Sequence, residues 1–82
     1  MKFIMFGNRQ CTRCRLLKPK YEAYGEQYAD TDDNEMLVSM YGIRSLPTVI
    51  AVDDSGKEVN RLVPPFTPAD LDAFITKERN NG

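Results

Sequence analysis

The sequence contains no histidine. That removes the usual general base near neutral pH and the commonest nitrogen ligand for a metal ion. It holds only two cysteines, Cys11 and Cys14, too few for the disulfide framework of a small secreted scaffold. Two thiols without a histidine also fall short of the four ligands that a structural zinc site takes. Long hydrophobic runs are missing as well. Phe3-Ile4-Met5-Phe6 is too short for the core of a signal peptide or for a membrane span. A formal net charge of -1 leaves no basic footprint for nucleic acid. No glycine-rich phosphate loop, catalytic triad or paired-carboxylate arrangement is present. These absences imply a cytoplasmic protein that acts on neither nucleic acid nor membrane, in a compartment that keeps thiols reduced.

The 82 residues fit one small domain, residues 1–82, with no linker, composition shift or repeat to divide it. Residues 1–6 read as a strand apolar on both faces, hence central in a sheet. A helix follows over 12–25, with Cys14, Leu17, Tyr21 and Tyr24 along one face. A weaker strand covers 27–31, and a helix over 36–42 carries Met36, Leu37, Met40 and Tyr41 at helical spacing. The β-branched stretch 48–52 is a third strand, 53–57 a hairpin turn and 59–63 a fourth strand. Thr67-Pro68-Ala69-Asp70 is a helix-start signature, and Leu71, Phe74 and Ile75 give that helix its apolar face. The polar tail 78–82 should fray. The order β-α-β-α-β-β-α predicts an α/β fold, a four-stranded mixed sheet flanked by three helices.

Asp30, Asp32 and Asn34 mimic the first ligands of a calcium loop. Glu35 stands where that loop needs glycine, and Tyr41 where it needs a bidentate glutamate. The run therefore reads as a solvated turn that caps the next helix.

The chemistry lies in the two cysteines. Cys11 falls near a helix start, where unpaired backbone N–H groups and the macrodipole favour an anion, and thiolate is the reactive form. Cys14 shares a face with Leu17 and Tyr21 and should point inward. One exposed and one sheltered thiol suit attack on a disulfide followed by resolution of the mixed disulfide. Arg13, with Arg9 and Arg15, lies close enough to favour the thiolate or to steer a substrate. A merely structural disulfide and a pair of ordinary buried thiols are the bland alternatives.

Together with this Cys-x-x-Cys helix, "YGIRSLPTVIAV" over 41–52 resembles the segment that leads to the cis-proline of the thioredoxin family. The resemblance implies a cis bond between Leu46 and Pro47, with Ser45, Leu46, Pro47 and Val63 lining a substrate groove that Arg13 borders. Pro19 matches the helix-kinking proline of that family, and "YADTDDNEMLVSMYGI", the hairpin and "FTPADLDAFI" extend the match over nearly the whole chain. The chain resembles a minimal member that starts at the strand leading into the cysteines. Several positions depart from the family pattern. Gln10 stands for its tryptophan, Thr12-Arg13 for its Gly-Pro, Met5 for its buried aspartate, Tyr28 for its nearby lysine and Pro64 for a groove glycine. Proton transfer from Cys14 therefore lacks its usual helper and falls to water, the departing thiolate or Tyr28.

The activity implied is protein-disulfide reduction without a bound cofactor, by a monomer that takes electrons from a flavoprotein thioredoxin reductase or from glutathione. Ribonucleotide reductase is a natural client by analogy. A glutathione-dependent glutaredoxin is the alternative, although glutaredoxins carry Pro-Tyr between their cysteines and Gly-Gly before the last helix. A non-catalytic binding module is the other.

Overall fold

The structure, a computed structural model, describes residues 1–81. The elements run β1 (Lys2–Gly7), α1 (Thr12–Glu22), β2 (Gln27–Asp30), α2 (Glu35–Tyr41), β3 (Thr48–Val52), β4 (Glu58–Leu62) and α3 (Pro68–Asn81). This is the element order expected from the sequence. The sheet order is β2-β1-β3-β4. β1 pairs parallel to β2 and antiparallel to β3, and β3 pairs antiparallel to β4. The sheet is mixed, with its two most apolar strands at the centre.

Side chains of those strands alternate between two cores, because successive residues of a strand point to opposite faces. Phe3 and Met5 of β1 and Val49 and Ala51 of β3 join Leu17 and Tyr21 of α1 and Leu71, Phe74 and Ile75 of α3. Ile4, Phe6, Ile50 and Val52 point the other way, where Leu37, Val38 and Tyr41 of α2 cover them. Full burial of a side chain such as Phe3 or Ile50 stabilises by about 1.5–3 kcal/mol, so these two layers supply the main favourable term.

All three helices depart in part from the sequence reading. Met36 and Met40 do not face the core; they are 82% and 66% exposed, and Leu37, Val38 and Tyr41 do the packing. Helical spacing alone cannot say which of two overlapping stripes turns inward. α1 stops at Glu22, and a turn leads on to Gly25. The expected fraying from 78 is also corrected: α3 continues to Asn81. Glu78 is buried and accepts a hydrogen bond from Asn60 Nδ2 at 3.0 Å. The Arg79 guanidinium donates to the Tyr24 carbonyl at 3.0 Å and to Glu26 Oε2 at 2.9 Å, tying the chain's end to the turn after α1.

The register gathers the loops that matter. Gly7 pairs with Asp30, Phe6 with Thr48, and Val49 with Leu62. The segment after β1 that holds the cysteines, the one after β2, the one before β3 that ends in Pro47 and the one after β4 that begins at Val63 thus lie at one end of the sheet. Ligand sites of open α/β sheets form at such an end.

α3 starts with a reciprocal cap. The Thr67 amide donates to Asp70 Oδ2 at 2.9 Å and the Asp70 amide donates to Thr67 Oγ1 at 3.1 Å. Thr67→Ala is expected to lower unfolding stability by about 1 kcal/mol with an unchanged denaturant slope, as read by urea titration.

Candidate functional site

Cys11 is the N-cap residue of α1, with φ -89° and ψ 112°. Its sulfur accepts a hydrogen bond from the Cys14 amide at 3.3 Å, and its carbonyl accepts from the Arg15 amide at 3.1 Å. A capping side chain ordinarily offers an oxygen to the third helical N–H; here the acceptor is sulfur. Three-residue spacing places the second cysteine at that third position, so the motif brings its own two residues together. The Cys11 side chain stays partly exposed while Cys14 is fully buried. Both are free thiols. Burial first, then the hydrogen bond with Cys11, pushes the Cys14 thiol up to about 12.

The loop before Cys11 is held by the acidic run, and this corrects its reading as a helix cap. Asn34, the N-cap of α2, makes no side-chain cap bond. Asp30 reaches back instead. Its Oδ2 accepts from the Arg9 amide at 3.0 Å and from Arg9 Nε at 3.4 Å, while Oδ1 accepts from the Asp32 amide at 2.9 Å. Asp33 takes the Arg9 Nη2 at 2.9 Å, and Asn8 Nδ2 donates to Thr31 Oγ1 at 3.0 Å. Arg9 is therefore engaged by Asp30 and Asp33, not turned toward the thiols. Arg13 and Arg15 are exposed on α1. Arg13 borders a shallow cleft with Leu16, Leu17, Phe66, Thr67 and Pro68, and Arg15 lines a second one with Lys18, Tyr28 and Asp30.

The peptide between Leu46 and Pro47 is cis, as the resemblance implied. Pro47 is buried, Leu46 half-buried and Ser45 exposed. Thr48 Oγ1 donates to the Ser45 carbonyl at 2.7 Å, fixing the turn that delivers Pro47. Val63 is exposed, one residue beyond β4. A second cis bond joins Pro64 and Pro65 at the same sheet end; the double proline was its one trace in the sequence. Among the described residues no three or more cysteine, aspartate or glutamate side chains cluster as a metal ion requires.

Met5 and Tyr28 are register partners on β1 and β2. Gly7, two residues on, lies under both Tyr28 and Cys14. A Cβ built there would clash with the phenol oxygen and fall 3.0 Å from Cys14 Cβ. Only glycine leaves room for that approach.

Two thiols of unequal burial, joined through a helix cap at the sheet end that also carries a cis-proline, make a site for thiol–disulfide exchange. Comparisons with known proteins agree. The thioredoxin family model matches residues 2–77. A thioredoxin from Porphyra purpurea is 31% identical over 75 residues, spanning 82% of this chain and 69% of that protein. The crystal structure of a Malassezia sympodialis thioredoxin superposes with a TM-score of 0.81 at 25% identity, over 92% of this chain and 71% of the other. One chain of a solved complex of ferredoxin:thioredoxin reductase with thioredoxin f2 superposes with a TM-score of 0.78 at 25% identity, over 95% and 78%. The site is that of a thiol–disulfide oxidoreductase. The chain belongs to the thioredoxin family.

The Asp32 amide, then Arg9, holds the Asp30 carboxyl below its ordinary range. Its charged form is thus favoured by folding, a contribution present above the unfolded carboxylate pKa of about 4 and lost as pH falls through the lower folded value. The Arg9 and Asp32 amide resonances should titrate together below about pH 4 and cease to do so in Asp30→Asn. Hydrogen exchange at the Arg9 amide should rise roughly tenfold in Asp30→Ala, the worth of one hydrogen bond to a charged acceptor.

Proposed function

We propose that this single domain, residues 1–82, is a redox carrier that reduces protein disulfides, with Cys11 as nucleophile and Cys14 as resolving thiol. The contrast in burial between the two sulfurs carries the reading. The Cys11 thiolate attacks one sulfur of a substrate disulfide. A Cys11–substrate bond forms, the substrate disulfide breaks, and the electron pair leaves on the released sulfur, which takes a proton from water. Cys14 then loses its proton and attacks Cys11 Sγ. The Cys11–Cys14 bond forms and the second substrate sulfur departs as thiolate, to be protonated in turn. The protein ends oxidised by two electrons and the substrate reduced by two.

Substrate docks at the sheet end, along the backbone of Ser45 and Leu46 beside Pro47, with Val63 and Arg13 at the rim. No bound cofactor enters these steps. The carrier is recharged by a flavoprotein thioredoxin reductase, or by glutathione. The solved pairing of thioredoxin f2 with a reductase supports a protein reductase as electron source. A monomer in the cytoplasm, with ribonucleotide reductase among its clients, completes the proposal.

Cys14→Ser, exposed to a disulfide-bearing protein, should accumulate a covalent mixed disulfide through Cys11, while Cys11→Ser should trap nothing. Trapping that needs Cys14 instead would reverse the roles. The oxidised protein should be reduced faster by thioredoxin reductase with NADPH than by glutathione. Preferential reduction by glutathione would move the reading to the glutaredoxin type.

A further inference from the structure

Cys14 must give up a proton in a place built to keep it. Its sulfur is buried, and Met5, the nearest inward residue of β1 to the Gly7 contact, is apolar and buried. A polar side chain reaches this spot from the neighbouring strand. Tyr28 extends from β2 across β1, and its hydroxyl comes down on Gly7, on the same small patch of backbone that Cys14 Cβ approaches. Gly7 fixes this meeting sterically, since any side chain there would drive the phenol away. Tyr28 is held from outside too, with Lys18 Nζ 4.9 Å from its ring centroid. Half-buried Tyr28 also lines the cleft with Arg9, Arg15, Pro19 and Asp30, so the residue spans from solvent to the buried thiol.

We propose that Tyr28 is a positioning residue for the resolving thiol: its hydroxyl donates a hydrogen bond to the Cys14 sulfur as that thiol passes its proton to water, and so stabilises the thiolate that attacks Cys11. This rests on the roles of Cys11 and Cys14 proposed above. The step stays balanced, because the phenol keeps its own proton throughout. The electron pair of Cys14 makes the new disulfide, and the departing substrate sulfur recovers a proton from water. Burial, followed by the neighbouring Cys14, pushes the Tyr28 phenol up to about 12, so it remains a donor at neutral pH. The groups that face it are Cys14, Arg15, Lys18 and Glu22 of α1, Cys11 and Arg9 of the segment before it and Asp30 of β2. β1 presents Met5 and Gly7, neither of which titrates.

The test separates the two exchange steps. Reduced protein is mixed in stopped flow with an aromatic disulfide that releases a coloured thiolate, first on attack by Cys11 and again when Cys14 resolves the mixed disulfide. In Tyr28→Phe the first release should keep its rate. The second should slow roughly tenfold, the worth of one hydrogen bond to a charged group, and the midpoint of its pH profile should move upward. A fluorinated tyrosine placed at position 28 keeps the fold contacts and donates more strongly, so it should move that midpoint down. Unchanged second-phase rates and midpoints in both variants would overturn the proposal. A second release that persists in Cys14→Ser would instead overturn the assignment of the resolving thiol, which keeps the two failures distinct.

Discussion

The packing of Cys14 against the end of β1 is the constraint on which the rest depends. It takes the second sulfur wholly out of water and fixes the rotation of α1 about its axis. With that face down, Leu17 and Tyr21 fall into the core behind it and the helix start turns outward. Cys11, one residue before the helix, is then left partly exposed with its sulfur over the first turn's N–H groups. The difference in exposure between the two thiols thus follows from one helix–sheet contact. Burial of a thiol disfavours its charged form, and this is what pushes the Cys14 thiol up.

The second requirement is that the approach to the helix be held still. The segment from Asn8 to Gln10 has little apolar surface with which to anchor itself. Asp30 and Thr31, at the end of the neighbouring parallel strand, supply the anchor through Arg9 and Asn8. Exposed ion pairs contribute little to global stability. Here the carboxylate also accepts two backbone amides, that of Asp32 in its own turn and that of Arg9, and the second positions the loop. The acidic run that mimics a calcium loop is therefore part of the scaffold beneath the thiols.

Much of this was legible in the sequence. The cysteine spacing, the helix that follows, the β-branched stretch ending at Val52 and the Thr67 cap are local signals, and each names its element directly. The Leu46–Pro47 bond was legible through resemblance, since nothing in a lone proline specifies its isomer. The rest depends on partners far along the chain. Asp30 finds Arg9 across 21 positions, and Arg79 finds Glu26 across 53. No local pattern distinguishes those charges from solvated ones. Gly7 looks like a loop residue in the sequence. Its reason, the close approach of Tyr28 and Cys14 over it, exists only once β1 and β2 are in register. Met36 and Met40 show the same limit, since helical spacing was read correctly and the inward stripe was not.

The central claim is that the two sulfurs are chemically unequal in the folded protein. Timed alkylation of the reduced protein with iodoacetamide at neutral pH, each cysteine scored separately by peptide mass, tests it most directly. The account predicts that Cys11 reacts at least about 100-fold faster than Cys14, with the difference vanishing in denaturant, because thiolate fraction and access govern the rate. Equal rates at the two cysteines in the native state would contradict it.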